Sequence, residues 1–171
     1  MLQRDGLVDM ESYRGASVAS VGWERVFEAV TVRMHLEVLA AREAAPHHTP
    51  ETIVSLEELL GRLDRARELG RAASFSDLNR EFHTRAYEPG TIGLLKEEVQ
   101  ALWDTMWRTR ARSLFRMDPA RMEGAQREHR ALLEALRRGD PEAAAEAAQR
   151  HMIETLSAWR LVMETELRTA H

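Results

Sequence analysis

The sequence predicts an all-α protein, an antiparallel bundle of about six helices preceded by a short N-terminal arm or β-hairpin. From residue 23 onward, apolar residues recur every three or four positions, which is the period of an amphipathic helix. Short turn sequences containing proline, glycine or aspartate separate these segments. We find no strand pattern and no internal repeat after residue 22. Helices joined by short turns are typical of a helical bundle.

The composition is that of a globular, cytoplasmic protein. The 171 residues suffice for one domain with a sizeable core, and 44% of them are hydrophobic. No apolar run is long enough for a transmembrane helix, and the N-terminus lacks the apolar region of a signal peptide. The absence of cysteine excludes disulfides, thiolate zinc sites and cysteine nucleophiles.

The charge distribution does not favour nucleic-acid binding by this chain alone. The formal net charge is −4, and residues of both signs are interspersed along the helical segments. Tight binding to nucleic acid needs a concentrated basic surface that neutralises several phosphates. We therefore expect no sequence-specific DNA binding by this chain alone.

The N-terminal elements follow from local signals. Residues 1–22 contain three glycines and short alternating stretches, which predict a small hairpin or extended arm. The first helix is predicted over residues 23–45 and ends at Pro46. Thr49 is the predicted N-cap of a second helix, which runs to about Gly70. The predicted inward face of the first helix consists of Val26, Val30, Met34, Val38 and Ala41.

Four further helices are predicted towards the C-terminus. The third begins with Ser74 and Asp77 as a capping box and ends at Pro89–Gly90. Thr91 opens a long fourth helix. Asp118–Pro119 begins the fifth helix, and the sixth runs from Pro141 to about Arg168.

The last two helices are predicted to form a hairpin with one histidine on each arm. Gly139 suits the position after a helix C-terminus, Asp140 suits an N-cap and Pro141 suits the first helical residue. His129 lies ten residues before Gly139, and His151 lies eleven residues after Asp140. At about 1.5 Å per residue, both histidines lie roughly 15 Å from the turn, so an antiparallel hairpin makes them level.

A third histidine extends this pattern. Asn79 and His83 are four residues apart and project from one face of the third helix. Together with the hairpin histidines, these side chains could surround a single metal ion. The spacing equally permits histidines that only fill the core and hydrogen-bond there.

The motifs in this region resemble those of a known family. They are Asn79-x-x-x-His83 with Phe82 before the histidine, Glu-His at 128–129, Gly-Asp at 139–140, and the histidine at 151. This order resembles the FadR/VanR-type (FCD) effector-binding C-terminal domain of GntR-family transcriptional regulators, over about Val26 to Val162. Residues 1–22 resemble the wing and linker of a winged helix-turn-helix module. The DNA-entering helices would then precede Met1, and residues 23–171 would form the effector- and metal-binding domain.

The resemblance implies a set of ligands and partners. Asn79, His83, His129 and His151 would hold a divalent metal, with zinc or nickel as the leading candidates and manganese, iron or cobalt as alternatives. A small organic acid would bind inside the bundle, with Arg33 contacting its carboxylate. The family often has aspartate at the position of Asn79. Since an amide is a neutral donor, metal affinity should fall and attraction for an anionic ligand should rise. A homodimer is implied, with DNA bound only through the winged-helix module.

Three functions remain open at the level of sequence. The first is a ligand-sensing regulatory domain, the second a metal-free structural or dimerisation domain, and the third a metalloenzyme that uses three histidines. The sequence has no His-Glu-x-x-His motif and no glutamate three residues before any of the three histidines. These absences argue against an enzyme. Arg33 as a plain surface charge is the alternative to its role in ligand binding, and Arg108 and Arg112 are weaker candidates for that role. The histidines outside the pattern are predicted to be surface residues: His35, His47, His48 and His171.

Overall fold

The all-α prediction with a short N-terminal hairpin is confirmed. The computed structural model describes residues 8–11, 15–18, 23–107 and 114–169. In these ranges the helices are α1 (Trp23–Ala44), α2 (Pro50–Glu68), α3 (Ala72–Ala86), α4 (Gly93–Trp107), α5 (Leu114–Met117), α6 (Arg121–Arg137) and α7 (Pro141–Thr169), with a 3-10 helix at Ala45–His47. None of these helices combines the length and apolar composition that crossing a membrane requires.

The N-terminal hairpin consists of two short strands. Strand β1 (Val8–Glu11) pairs antiparallel with β2 (Gly15–Val18), and Val8 lies opposite Val18. The prediction of a small hairpin within residues 1–22 agrees with this pairing. Its assignment to the wing of a winged-helix module stays a prediction.

The helices pack as an antiparallel bundle with two apolar clusters. Helix α7 packs along α1 and folds back on α6, while α2 packs on α3 and α6, and α4 on α1. The larger cluster comes mainly from α2, α3 and α6, and the smaller one from α1, α5 and α7. Along α7, Ala148 belongs to the larger cluster and Met152 to the smaller, and the buried His151 lies between them. Polar side chains therefore occupy the boundary between the two clusters.

The turn between α6 and α7 has the predicted chemistry. Gly139 has φ of 61°, and its N–H donates to the carbonyl of Leu136 (3.0 Å). The N–H of Asp140 donates to the carbonyl of Ala135 (3.1 Å), which completes a Schellman motif. The Asp140 side chain then accepts from the N–H of Ala143 (3.1 Å) as the N-cap of α7. This turn fixes the level at which the two arms of the hairpin meet.

Two predicted helix starts are wrong. Helix α3 begins at Ala72 with no side-chain cap, so Ser74 lies within the helix and is not its cap. Helix α6 begins at Arg121, whose N–H donates to the carbonyl of Asp118 (3.2 Å) in a preceding turn. Neither helix has a side-chain cap at its observed start, so the local capping preference does not determine these two boundaries.

The inward face of α1 also differs from the prediction. Met34 and Val38 are only partly buried. The buried stripe is rotated, and it includes Arg33 (3% exposed) and Glu37 (0% exposed). The apolar members of the stripe are Val26, Ala29, Val30, Ala40, Ala41 and Ala44.

Two glycine-to-alanine substitutions should change stability in opposite directions. Gly139→Ala places a Cβ on a residue with φ of 61° and should cost about 1–2 kcal/mol. Gly61 lies inside α2, and a Cβ there would meet only Nη1 of Arg65, at 3.8 Å. Gly61→Ala should therefore stabilise the protein by about 0.5–1 kcal/mol. Urea denaturation of both variants measures the two changes, and an unaltered midpoint for Gly139→Ala would contradict the assigned turn.

Candidate metal centre

Three histidines from three helices converge in the interior. His83 on α3 and His129 on α6 are 0% exposed, and His151 on α7 is 5% exposed. Their ring centroids are 5.0 Å (His83–His129), 4.7 Å (His83–His151) and 5.1 Å (His129–His151) apart. One nitrogen of each ring lies within 4.8 Å of the other two. The hairpin histidines are level, as the spacing around Gly139 predicts.

The first imidazole, His129, has a defined tautomer. Gln126 donates its amide N–H to the backbone carbonyl of Leu60 (2.8 Å), so the amide oxygen faces the ring. His129 Nδ1 lies 3.3 Å from that oxygen. Because an amide oxygen only accepts, Nδ1 carries the proton and Nε2 carries a lone pair.

The second imidazole, His83, is held in the same way through a hydroxyl. His83 Nδ1 lies 3.2 Å from the hydroxyl oxygen of Tyr87, and that hydroxyl donates to Oε2 of Glu37 (3.3 Å). The hydroxyl proton is therefore used, and the tyrosine oxygen accepts from Nδ1–H. His83 Nε2 then also carries a lone pair.

The third imidazole, His151, is oriented by an acid. Its Nδ1 lies 2.7 Å from Oε2 of Glu128, which accepts the Nδ1 proton. Arg121 donates to both carboxylate oxygens of Glu128, at 3.0 and 2.6 Å, and fixes its position. A carboxylate behind a metal-binding histidine fixes the tautomer and makes the other nitrogen a stronger donor.

The resulting arrangement suits a shared cation. The Nε2 atoms of His83 and His129 are 3.2 Å apart, and both carry lone pairs that repel each other unless a cation lies between them. Two nitrogens that are each about 2.1 Å from one ion stand about 3.0 Å apart at an octahedral angle and about 3.4 Å apart at a tetrahedral angle. The observed separation falls within this interval.

Protonation of an imidazole does not readily supply the positive charge between the two Nε2 atoms. Burial lowers the pKa of His83 and His129 well below the usual value, and the neighbouring histidines and Arg121 lower it further. Burial also lowers the pKa of His151, although its hydrogen bond to Glu128 acts in the opposite direction. Neutral imidazoles are the form that binds a metal ion.

The predicted fourth ligand has a buried oxygen without a partner. Asn79 is 6% exposed and lies one helical turn before His83 on α3. Among the described residues, its Oδ1 accepts no hydrogen bond. A buried polar atom without a partner costs roughly 1–3 kcal/mol, which coordination to an ion would offset. The residues present therefore fit a divalent metal with three nitrogen donors and one oxygen donor.

Arg33 lies in the wall beside this site, so its interpretation as a surface charge is wrong. Its guanidinium lies 3.6 Å from the ring centroid of Trp103, and the Trp103 ring lies 5.9 Å from that of His83. Arg33 Nε and Nη2 both donate to Oε1 of Glu37, at 2.9 and 2.6 Å. The predicted carboxylate-binding arginine is thus held by a carboxylate of the same helix.

The sequence prediction missed Glu37, Tyr87, Gln126, Arg121 and the role of Glu128. The burial of Glu37 could have been predicted from the sequence. Arg33 and Glu37 occupy the positions between Val30 and Ala41 at which the helical period places inward-facing residues. The other four act from behind the imidazoles, and their contacts depend on tertiary packing.

The remaining predicted positions are less central. His35 and His47 are exposed, as predicted, whereas His48 is half-buried. Its ring lies 3.1 Å from the backbone carbonyl of Ala86. Arg108, Arg112 and His171, which the sequence offered as weaker candidates or surface groups, lie outside the described residues.

Glu128→Gln should weaken metal binding without removing a ligand. The amide keeps a hydrogen bond to His151 but loses the charge that strengthens its Nε2 as a donor. We expect affinity for zinc to fall about 10- to 100-fold in a chelator competition assay. Glu123→Gln is the control, because Glu123 is an exposed residue of the same helix and pairs with Arg67 and Arg127. Equal losses in both variants would contradict the role assigned to Glu128.

Comparisons with known proteins identify the family of this chain. Residues 28–154 match the FCD domain family. The HTH-type transcriptional regulator McbR of Escherichia coli (strain K12) is 28% identical over 147 residues, which cover 81% of this chain and 66% of that protein. The chain thus spans slightly less than two thirds of the length of this relative.

Several solved structures share the fold. E. coli McbR/YncC has a TM-score of 0.82 at 24% identity, covering 94% of this chain and 80% of that one. A GntR family member from Pseudomonas syringae pv. tomato str. DC3000 has a TM-score of 0.74 at 23% identity, covering 99% and 70%. The metal-free FCD domain of TM0439 has a TM-score of 0.65 at 19% identity, covering 86% and 99%. Since the family match spans more than half of the residues, the chain belongs to the FCD domain family and is related to GntR-type transcriptional regulators.

Proposed function

We propose that this chain is the ligand-sensing regulatory domain of a GntR-type transcriptional regulator. It binds a divalent metal through Asn79, His83, His129 and His151, and a small organic acid beside the metal. The main support is the hydrogen-bond network behind the three imidazoles, which leaves a lone pair on Nε2 of each ring, in a cluster where one nitrogen of each ring lies within 4.8 Å of the other two. Histidines that only filled the core would have no need for lone pairs that face each other.

The donor set favours an anionic ligand. Three neutral imidazoles and a neutral amide leave the charge of a divalent ion uncompensated, and such an ion would supply an electrostatic anchor for a carboxylate. Zinc or nickel suits three nitrogen donors and one oxygen donor, and manganese, iron or cobalt are alternatives. An ion that prefers five or six ligands keeps positions for the acid. Arg33 in the adjacent wall supplies a second contact for a carboxylate.

Regulation follows from the helices that carry the ligands. The metal would join α3, α6 and α7, and the acid would connect them to α1 through Arg33. The domain would act as a homodimer, and a winged-helix module would carry the DNA contacts. The ligand would bind one arrangement of the dimer more tightly than another. Ligand binding would therefore shift the relative placement of the two DNA-binding modules.

Native mass spectrometry tests this proposal. Protein purified without chelator should carry one divalent ion per subunit and form a dimer. Metal-free protein, prepared with a chelator, should take up one equivalent of zinc or nickel and melt at a higher temperature afterwards. The absence of metal uptake, together with an unchanged melting temperature, would refute the metal centre.

The alternative of a metal-free domain has one supporting observation. A solved structure with this fold is described as metal-free, so a metal-free structural or dimerisation domain is the second candidate. It predicts that chelation leaves stability and dimer formation unaltered. The metalloenzyme alternative has no such support, since the named relatives are transcriptional regulators. We propose no enzymatic activity.

Asn79→Asp should shift the balance between the two ligands. An aspartate at this position adds a negative donor, so we expect zinc affinity to rise by about tenfold or more. The bound ion is then less positive, and affinity for an organic acid should fall. Chelator competition measures the first change and calorimetry of the zinc-loaded protein the second. If the substitution leaves both affinities unaltered, Asn79 does not contact the ion.

A further inference from the structure

We infer that Glu37 determines which ligands the site accepts, by holding Arg33 until a ligand carboxylate replaces it. This inference rests on the proposed function, since it concerns the acid that binds beside the metal. Glu37 is an internal carboxylate of the same chemical class as the ligand. Only a ligand that brings its own carboxylate to Arg33 can take this place and still give the buried guanidinium a carboxylate in exchange for that of Glu37.

The hydrogen-bond geometry between Arg33 and Glu37 is one that a ligand carboxylate could improve on. Two donors of Arg33, Nε and Nη2, contact the same oxygen of Glu37, Oε1. The two residues are four apart on one helix, which restricts how their side chains can meet. A ligand carboxylate without this restriction can present two oxygens to the two donors, and such two-oxygen pairing is stronger and more specific.

Burial makes the exchange sensitive to charge. Arg33 is 3% exposed and Glu37 0% exposed, so bulk water does not replace either partner. Buried ion pairs often add little to stability compared with apolar residues, because both charges lose their hydration. A contribution to folding stability therefore does not account well for the buried Arg33–Glu37 pair, whereas a role in selecting ligands does.

The displaced carboxylate keeps a partner in the wall of the site. Oε2 of Glu37 accepts from the Tyr87 hydroxyl, which also accepts from Nδ1 of His83. After displacement, Glu37 would retain this hydrogen bond. The ligand class that fits is a short dicarboxylate, with one carboxylate on the ion and the other on Arg33.

The test measures binding of dicarboxylates from oxalate to glutarate by calorimetry, in zinc-loaded and in chelator-treated protein. Glu37→Gln should raise the affinity of zinc-loaded protein for the best acid of the series by about tenfold or more, because the carboxylate of Glu37 no longer competes with the ligand for Arg33. The monoamide of the same acid should gain less. Glu37→Asp is the matched variant, since it retains the charge but is too short to hold Arg33 in the same way. It should also bind the diacid more tightly, whereas a purely long-range charge effect predicts no gain.

The double variant Arg33→Gln/Glu37→Gln should lose the gain, because the receiving arginine is absent. Equal diacid affinities for the wild type, Glu37→Gln and Glu37→Asp would overturn the inference while leaving the proposed function intact. If zinc binds but no acid of the series binds any variant, the organic-acid part of the proposed function fails and the inference fails with it. If zinc does not bind, the proposed metal centre is refuted. The diacid affinities of the chelator-treated proteins then test the exchange of carboxylates at Arg33 separately.

Discussion

Replacing His129 with alanine is expected to lower zinc affinity by about two to three orders of magnitude. Structural zinc sites bind with roughly 10–16 kcal/mol, so each of four ligands accounts for about 3 kcal/mol. The substitution removes one of the two nitrogens that lie 3.2 Å apart in the interior. Chelator competition measures the affinity, and the rise in melting temperature on adding zinc should disappear at zinc concentrations that stabilise the wild type.

The same substitution also removes a buried ring from the core, so metal-free stability needs its own measurement. Urea denaturation of the chelated proteins gives this effect separately from the metal effect. His35→Ala is the matched control, because His35 is exposed and lies outside the cluster of His83, His129 and His151. A His129→Ala protein that still binds one zinc ion with wild-type affinity would rule out the proposed ligand set.

The second large effect concerns the buried pair on α1. Arg33→Met leaves Glu37 charged and without its cation in the interior, and we expect a loss of about 3–5 kcal/mol in the free energy of unfolding. The double variant Arg33→Met/Glu37→Gln should recover most of this loss. Its amide oxygen still accepts from the Tyr87 hydroxyl, and no buried charge remains. Urea denaturation at constant pH measures both variants.

The comparison separates two roles of the pair. Recovery in the double variant means that the ion pair is dispensable for the fold, which is expected if the pair serves ligand binding. A double variant as unstable as Arg33→Met would show that the guanidinium packed on Trp103 supports the core. A loss below about 1 kcal/mol for Arg33→Met would contradict the burial of Glu37 as an unpaired charge in that variant.

Much of the hairpin that carries two of the histidines followed from local sequence. Gly139 and Asp140 each have one strongly preferred structural position, and the helical rise then converts residue counts into heights. The sequence alone therefore predicts that His129 and His151 are level in the hairpin. Likewise, Asn79 and His83 share a face because of their spacing alone.

The contacts behind the histidines could not be predicted in this way. An arginine and a glutamate four residues apart on a helix usually form an exposed pair, and only the packing of α4 and α7 on α1 makes Arg33 and Glu37 buried. Glu128 points away from its neighbour His129 and instead reaches His151 on the facing helix. Such contacts depend on the rotation of one helix against another, and the sequence period determines rotation only within a broad stripe.

Helix α1 is uninterrupted from Trp23 to Ala44, and the arginine that would receive a ligand lies on it ten residues from its start. A continuous helix moves as a stiff rod, so a tilt imposed at Arg33 would be transmitted about 15 Å to Trp23, the residue that follows the N-terminal segment. Exchange of one carboxylate for another near the midpoint of α1 would thus change the position of its N-terminal end.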